Sequence, residues 1–321
     1  MAEYRYLAKP DPEWVDFPNN LPPGTKIEDM KKDHLPITPQ DGLEIYEFDV
    51  KARDGHPICL RSYRKTQNVS GPKLPLFIYM HGGGYVTGGL ETDDSTCRAI
   101  AQKLDVRVLS VEYRLAPEHR FPVGFQDSFD VVRWVASEEG QGKLHVDLQK
   151  GFVLGGTSAG ANFTSGIAHY ARDEGLTPKL TGVVFLAGSF CHPDARPAKY
   201  ADRILSVDEV TDAPGLTRKS IDYFAALYGA PPLDKRLSNL LFDSHADIAK
   251  KAYFAVCGWD PRRDEALLLE QVLKEEGMGT KLDVYPGLPH GFWTTCPELP
   301  ESKRWLDKLL EGLNFVFDDQ A

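Results

Sequence analysis

Short apolar runs that alternate with helical patterns constrain the fold of this chain more than any other feature of its sequence. Runs rich in branched and aromatic residues lie at 74–80, 106–112, 151–156, 181–187, 252–258 and 280–285. Patterns with a helical spacing of apolar residues lie at 92–104, 123–138, 159–174, 262–276 and 301–315. Runs that are apolar throughout are typical of parallel strands covered on both faces. Because strands and helices alternate, the sequence predicts a three-layer α/β fold.

Two further segments, ahead of these runs, predict an antiparallel hairpin. Residues 44–50 and 57–63 alternate between apolar and polar side chains, as strands with one solvated face do. The segment Arg53-Asp54-Gly55 between them supplies turn chemistry. With this hairpin the sequence predicts eight strands, the first two antiparallel and the others mostly parallel.

Two segments depart from the alternation. Residues 1–42 are rich in proline and charge, with Trp14, Phe17 and Leu21 interspersed, so they predict an arm that packs on a main domain of residues 43–321. Residues 190–246 separate two strands by far more than a usual crossover and include a helical pattern near 217–228. An insertion after a parallel strand lies over the ligand-binding edge of the sheet, so we expect this insertion and the arm to cap a site there.

Charge, hydropathy and cysteine spacing exclude several classes of protein. The net charge is −10 and the calculated pI is about 5.4, which disfavours binding to nucleic acid. The sequence has no apolar run of about 18 residues and opens without the apolar core of a signal peptide, so we predict a cytoplasmic protein without a membrane span. The five cysteines are widely spaced and form no C-x-x-C pair, so we predict reduced thiols and neither a metal site nor a disulfide framework.

The segment Gly156-Thr157-Ser158-Ala159-Gly160 has the pattern of a nucleophile elbow. It follows an apolar strand and opens a helical pattern, which is the context that a G-x-S-x-G turn requires. Small flanking residues allow the strand and the helix to approach closely, so the Ser158 side chain protrudes at the helix N-terminus. The alternative is a glycine-rich turn without chemistry.

A second glycine-rich segment, His81-Gly82-Gly83-Gly84, directly follows another strand. Consecutive glycines can direct successive backbone N–H groups into one cavity, where they stabilise a developing oxyanion. We assign the N–H groups of Gly83, Gly84 and Ala159 to this oxyanion hole, with Gly82 as a replacement for one of them. A phosphate-binding loop is disfavoured because no lysine follows these glycines.

A serine nucleophile requires a base and an acid that orients the base. In an α/β fold with such an elbow, the chain order is serine, then acid, then histidine. Of the downstream histidines, only His290 lies in a loop after the final strand, so we predict it as the base. Asp260 directly follows the strand at 252–258 and is favoured as the acid over Asp264 and Glu265, which lie in the following helix.

The chain resembles the hormone-sensitive-lipase branch of the α/β-hydrolases. The resemblance rests on the HGGG block at 81–84, YRLAPEH at 113–119, GTSAG at 156–160, and DPRRD at 260–264 with HGF at 290–292. It implies an α/β-hydrolase fold with a helical cap. It also implies ester hydrolysis by Ser158, Asp260 and His290 without a metal or organic cofactor.

Three positions depart from the usual pattern of that branch. Thr157 replaces an aspartate, Tyr85 replaces a tryptophan, and Arg262 replaces a leucine. None of these positions belongs to the predicted triad, so the substitutions bear on substrate fit more than on the reaction.

Other residues of these blocks have two interpretations. We interpret Arg114, Glu118 and His119 as a buried ion-pair cluster that braces the HGGG loop, because buried charges require partners. The aromatic residues Phe224, Tyr228, Phe242 and Phe292 fit either a pocket lining or the core.

The predicted activity is that of a carboxylesterase for short to medium acyl chains. An amidase, a lactonase or a thioesterase would use the same triad, and a receptor-like relative would keep the pocket while losing the histidine. The predicted partners are a small-molecule ester and, in a homodimer, a second copy of the chain.

Overall fold

An eight-stranded, mostly parallel sheet forms the centre of the structure, a computed structural model that describes residues 2–16 and 35–318. In chain order, the strands are β1 (Leu43–Lys51), β2 (Pro57–Lys65), β3 (Leu76–Met80), β4 (Arg107–Val111), β5 (Phe152–Thr157), β6 (Gly182–Leu186), β7 (Lys251–Trp259) and β8 (Gly279–Pro289). Their spatial order is β1-β2-β4-β3-β5-β6-β7-β8. Strand β2 is antiparallel to both its neighbours, and all other pairs are parallel.

Helices cover both faces of this sheet. They are α1 (Pro12–Asp16), α2 (Asp94–Lys103), α3 (Val123–Ala136), α4 (Glu138–Leu144), α5 (Ala159–Asp173), α6 (Ser206–Glu209), α7 (Arg218–Tyr228), α8 (Arg263–Glu275), α9 (Phe292–Thr295) and α10 (Pro300–Phe317). Helices α3, α5 and α8 pack against one core, and α2 and α10 pack against the other. The predicted three-layer α/β fold is therefore confirmed.

Strand β3 illustrates why the apolar runs form this sheet. All five of its residues are buried. Leu76, Ile78 and Met80 contribute to the core beneath α3 and α5, whereas Phe77 and Tyr79 contribute to the core beneath α2 and α10. Because successive strand side chains point to opposite faces, a strand between two helical layers must be apolar at every position.

Two segments lie outside the alternating pattern. The N-terminal part consists of a 3-10 helix (Ala2–Ala8) and α1, and its Trp14 is buried; residues 17–34 of the predicted arm, with Phe17 and Leu21, fall outside the described residues. The predicted insertion falls in the 187–250 connection from β6 to β7, which includes α6 and α7. An ion pair from Arg5 to Glu209 joins the two segments.

None of the helices within 2–16 and 35–318 combines the length and the hydropathy that crossing a bilayer requires. All five cysteines are free, and four of them are buried.

The predicted cluster of Arg114, Glu118 and His119 is only partly correct. Arg114 makes a two-pronged ion pair with the buried Asp127 of α3, at 2.7 and 2.8 Å. A further bond of 2.8 Å runs to Asp54 in the turn between β1 and β2. Glu118 and His119 are exposed, because they lie on the outer side of the loop that leads to α3. Arg114 therefore braces this loop through α3 and the hairpin.

Candidate active site

Ser158 occupies a strained turn between β5 and α5. Its backbone has φ 55° and ψ −111°, a conformation that is rare for a residue with a side chain. The flanking glycines permit it: a Cβ atom on Gly156 would lie 2.3 Å from the carbonyl oxygen of Met80, and one on Gly160 would lie 2.0 Å from that oxygen. The Ser158 N–H donates to the carbonyl of Leu186 at 2.9 Å, which fixes the turn at the carboxyl end of the sheet.

His290 bridges Ser158 and Asp260. Its Nδ1 atom lies 2.7 Å from Oδ2 of Asp260, and its Nε2 atom lies 2.8 Å from Oγ of Ser158. A carboxylate only accepts hydrogen bonds, so Nδ1 carries the hydrogen and Nε2 accepts from the serine hydroxyl. The three side chains come from the ends of β5, β7 and β8, and the structure brings them together as an unbroken chain of hydrogen bonds.

Asp260 is held in place from its own loop. The side chain is almost fully buried, and its Oδ1 atom accepts the backbone N–H of Arg262 at 2.8 Å. Asp264, the alternative acid, points elsewhere: it pairs with Arg263 and accepts the backbone N–H groups of Leu205 and Ser206. The structure thus places Asp260, and not Asp264, beside the histidine.

The HGGG loop presents unpaired backbone donors next to the serine. Gly83 and Gly84 have φ of 118° and 61°, and a Cβ atom on Gly84 would lie 2.7 Å from the ring of Phe224. Within the described part of the chain, the N–H groups of Gly83, Gly84 and Ala159 donate to no acceptor. The same holds for Gly82, so backbone donors are available to an oxygen atom at this place.

A buried histidine supports this loop from behind. His81 stacks on Tyr113 with ring centroids 4.1 Å apart, and the Tyr113 hydroxyl donates to the His81 carbonyl at 2.8 Å. Burial lowers the pKa of His81 to about 4, so the ring is neutral at pH 7. The departure at Thr157 also has a local consequence, because its hydroxyl shares a 2.7 Å hydrogen bond with the hydroxyl of Tyr79.

A small cavity of about 50 Å³ opens beside Ser158. It is bordered by Gly84, Tyr85, Ser158, Ala159, Ser189, Cys191, His192, Leu216, Ile221, Phe224, Ala225, Tyr228, Ala230, Leu237 and Arg262. Most of this lining is apolar, and ten of its fifteen residues come from the connection between β6 and β7.

Only two of the four aromatic residues that could have lined a pocket do so. Phe224 and Tyr228 border the cavity, whereas Phe242 stacks on His169 and Phe292 is buried in the core between Tyr285 and Trp293. His192 and Leu216 could not be assigned from the sequence, because an irregular connection has no periodicity that places its side chains on one face. Ile221 lies in the predicted helical pattern near 217–228, one turn before Phe224, and this spacing could have assigned it to the same face.

The described residues contain no group of three His, Cys, Asp or Glu side chains arranged to hold a metal ion. The polar groups at the site are instead a hydroxyl, an imidazole, a carboxylate and backbone amides. Such a set can transfer a proton from the serine and stabilise negative charge on a carbonyl oxygen.

Comparison with known proteins places the chain in a family. A sequence profile described as the alpha/beta hydrolase fold matches residues 77–294. An AB hydrolase superfamily protein of Schizosaccharomyces pombe is 32% identical over 98% of this chain and 97% of its own length. A versiconal hemiacetal acetate esterase of Dothistroma septosporum is 35% identical over 88% of this chain and 84% of its own length.

A solved structure is similar over almost the full length. The crystal structure of a vibralactone cyclase has a TM-score of 0.88 and 32% sequence identity, and the match covers 97% of this chain and 96% of the cyclase. The chain therefore belongs to the α/β-hydrolase fold family, in the carboxylesterase branch that is related to hormone-sensitive lipase.

Proposed function

We propose that this protein hydrolyses carboxylic esters through an acyl-enzyme formed on Ser158. The observation that carries the proposal is the position of His290, within hydrogen-bond distance of both Ser158 and Asp260. The esterase relative from Dothistroma septosporum supports the same reaction class. A receptor-like role is disfavoured because such a role does not require this bridge.

In the first half-reaction, Ser158 Oγ attacks the ester carbonyl while His290 Nε2 takes its proton. Asp260 keeps the hydrogen of His290 on Nδ1 and stabilises the imidazolium that forms. The proton then passes from His290 to the departing alcohol oxygen, and the acyl group stays on Ser158. In the second half-reaction, His290 deprotonates a water molecule, which releases the acid and restores the serine.

Backbone amides bind the oxyanion in both half-reactions. Gly84 and Ala159 border the cavity beside Ser158, and their N–H groups have no acceptor among the described residues. Gly83 or Gly82 supplies a further donor from the same loop. Fixed donors of this kind stabilise the transition state because they need no reorientation when the charge develops.

The cavity size supports short acyl groups. Because a water-sized group requires roughly 10–15 Å³ of cavity volume, the cavity of about 50 Å³ holds roughly three to five such groups. Chains of two to about six carbons fill or slightly exceed this space. The insertion at 190–246 serves as its cap, since its residues border the cavity, and the N-terminal arm joins this cap through the ion pair between Arg5 and Glu209.

Lactone chemistry is a second candidate, favoured by the similarity to a vibralactone cyclase. A hydroxyl group on the acyl chain would attack the acyl-enzyme in place of water, and the same triad would move the protons. Product analysis with an ester of a 5-hydroxy acid separates the two: hydrolysis gives the free hydroxy acid, and cyclisation gives the lactone.

A fluorophosphonate probe and a series of p-nitrophenyl esters from acetate to palmitate test the proposal. We expect covalent labelling of Ser158 and the highest kcat/KM with short acyl chains. Ser158→Ala removes both, with a loss of about 10⁴-fold or more in kcat. Ser189→Ala, a serine that also borders the cavity, is the matched control and keeps labelling. A folded wild-type protein that neither labels nor hydrolyses any ester contradicts the proposal and favours a receptor-like role.

A further inference from the structure

Several polar side chains border the cavity beside Ser158, and they include Ser189 and Tyr228. Three others, Tyr85, His192 and Arg262, belong neither to the triad nor to the backbone donors of the oxyanion loop. Each retains at least one polar hydrogen that the described residues do not accept. Because a buried donor without a partner is uncommon in folded proteins, the Tyr85 hydroxyl indicates an acceptor that arrives with the substrate, and Arg262 and His192 offer further donors to it.

Tyr85 has the most restricted surroundings of the three. Its ring stacks on Tyr228 with centroids 4.1 Å apart, and its backbone is in the left-handed region with φ 67°. The side chain is nine-tenths buried, yet its hydroxyl has no hydrogen-bond partner within the described residues. The protein thus holds an unpaired hydroxyl on a residue with a strained backbone that borders the same cavity as Ser158, which is a combination typical of functional sites.

Arg262 contributes a charged donor from the loop of the predicted acid. Its Nη1 atom donates to the Cys191 carbonyl at 3.0 Å and to Glu265 at 2.9 Å. Nη1 is the only nitrogen of the Arg262 side chain that donates a hydrogen bond to a residue in the described part of the chain. The hydrogens on Nε and Nη2 are therefore available to another acceptor. Only 12% of the side chain is exposed, and it borders the cavity.

His192 adds a neutral donor. Its Nδ1 atom accepts the backbone N–H of Asp194 at 3.1 Å, which leaves the hydrogen on Nε2. Burial and the nearby Arg262 charge both lower the pKa of His192, so the ring is uncharged at pH 7. No acceptor for Nε2 exists in the described part of the chain.

The cavity lies on the acyl side of the site. In the tetrahedral intermediate, the leaving alcohol oxygen must face His290, which protonates it. The cavity borders Ser158 and the oxyanion loop, but His290 is not among its lining residues in the described chain. The three donors therefore surround the acyl part of the substrate and not its alcohol part.

We propose that Tyr85, Arg262 and His192 bind a second, neutral oxygen acceptor on the acyl group of the substrate, such as a keto oxygen. The inference rests on the proposed ester hydrolysis and names the substrate class of that same site. These residues determine specificity; they do not take part in proton transfer.

The charge balance of the wall favours a neutral acceptor over a carboxylate. Glu265 is 2% exposed and already pairs with Arg262 at 2.9 Å, and it also accepts the backbone N–H of Phe190. A substrate carboxylate would place a second negative charge beside one guanidinium. A keto oxygen accepts the free hydrogens without that repulsion.

The test compares ethyl esters by continuous titration of the released acid. Ethyl 3-oxopentanoate, 4-oxopentanoate and 5-oxohexanoate are each measured against the alkyl ester of the same length. Monoethyl succinate, which carries a carboxylate where 4-oxopentanoate carries its ketone, is the anionic arm. We expect at least one oxo ester to exceed its alkyl partner in kcat/KM by about 10-fold or more, because a hydrogen bond to a charged donor has this magnitude. We expect kcat/KM for monoethyl succinate to be lower than kcat/KM for ethyl 4-oxopentanoate.

Substitutions test whether Arg262 and Tyr85 cause the preference for oxo esters. Arg262→Leu should lower the ratio of oxo to alkyl kcat/KM by about 10-fold or more, and Tyr85→Phe by about 3- to 10-fold. Because removing Arg262 leaves a buried carboxylate unpaired, the double variant Arg262→Leu with Glu265→Gln is tested alongside. Tyr170→Phe, which lies away from the cavity, is the control and keeps the wild-type ratio.

Three results overturn the inference. They are a wild-type enzyme without preference for any oxo ester, variants that leave the ratio unchanged while alkyl esters are still hydrolysed, and faster hydrolysis of monoethyl succinate than of 4-oxopentanoate. None of these three results contradicts the proposed ester hydrolysis. If the wild type hydrolyses no ester and resists the fluorophosphonate, the proposed function fails, and this inference fails with it.

Discussion

The two walls of the cavity are built in different ways. The sheet wall, which borders the cavity with Ser158 and the HGGG loop, consists of strand ends and of glycines packed against backbone, and His290 and Asp260 continue from Ser158 along the same edge of the sheet. The insertion wall, formed by residues 187–250, consists of short helices and turns with half-buried side chains such as Phe224. A rigid wall suits chemistry that depends on distances of a few tenths of an ångström, and a looser wall suits the variation of substrates.

The insertion wall is nevertheless fixed at its base. Asp264 of α8 is fully buried and accepts the backbone N–H groups of Leu205 and Ser206, and the Ser206 hydroxyl donates to the carbonyl of Pro261. These bonds fix the start of α6 to the loop that carries Asp260. The comparison thus predicts large catalytic effects from changes in the sheet wall and smaller, substrate-dependent effects from changes in the insertion wall.

The largest effect should come from Asp260→Asn. The amide would favour the wrong tautomer of His290, so we expect kcat to fall by about 10⁴-fold with little change in folding. Steady-state kinetics with a short p-nitrophenyl ester measures it. Asp264→Asn is the matched control at the base of the insertion: it should lower the unfolding temperature and change kcat by less than about 10-fold. Equal losses of kcat in both variants would contradict the distinction between the walls.

Gly84→Ala should disturb the point where the two walls meet. The added methyl group would lie within 3 Å of the Phe224 ring, on a backbone with φ 61°. The displaced N–H group of residue 84 would no longer point at the oxyanion, so we expect kcat to fall by about 10²–10³-fold. Gly175→Ala has the same kind of backbone, with φ 68°, but no atom within 4 Å, and it separates backbone strain from loss of the donor. A similar loss of kcat in Gly175→Ala would refute the explanation.

Acid should destabilise the protein through a buried histidine pair at the end of the insertion. His245 Nδ1 lies 2.9 Å from His169 Nε2, and burial lowers the pKa of His245 to about 4. The unfolded chain binds this proton at about pH 6.5, so the contribution of His245 is fully present above pH 6.5 and is lost as the pH falls to 4. The loss amounts to about 3 kcal/mol in the free energy of unfolding.

Urea titrations of the wild type and of His245→Asn between pH 4 and pH 8 measure this contribution. The variant should lose less stability between pH 6.5 and pH 4 than the wild type does, because asparagine does not titrate. At pH 7 and above, the stability difference between the two proteins should be constant. Parallel curves across the whole range would show that His245 does not cause the acid sensitivity.

The smallest effect should come from Phe224→Ala in the insertion wall. Removing a half-buried ring enlarges the cavity, so we expect the preferred acyl chain to lengthen and kcat/KM for acetate to fall by less than about 10-fold. A p-nitrophenyl ester series reads out the shift. Tyr223→Ala, on the exposed side of the same helix, should leave the chain-length profile unchanged. An unchanged profile in Phe224→Ala would mean that the insertion does not limit the acyl chain.

Local patterns predicted the sheet wall well. All eight strands and the five main helices were expected within a few residues, because a strand buried on both faces must be apolar throughout. The positions of Asp260 and His290 followed from chain order, since the carboxyl ends of adjacent parallel strands meet at one edge. Local patterns failed for Glu118 and His119, which were placed in a buried cluster and are exposed. Charged residues that lie close together in the sequence need not pair with one another in the folded structure.

Patterns along the chain were sufficient to predict the α/β architecture, the turn that exposes Ser158 and the glycine loop beside it. Each strand, helix and turn depends on residues within a few positions of one another, where periodicity and steric limits on the backbone apply. Tertiary packing, by contrast, sets which side chains of the insertion face the serine and brings Tyr85, His192 and Arg262 around one cavity. Those residues come from three separate loops, and their convergence depends on how the insertion packs over the sheet edge, which no local pattern encodes.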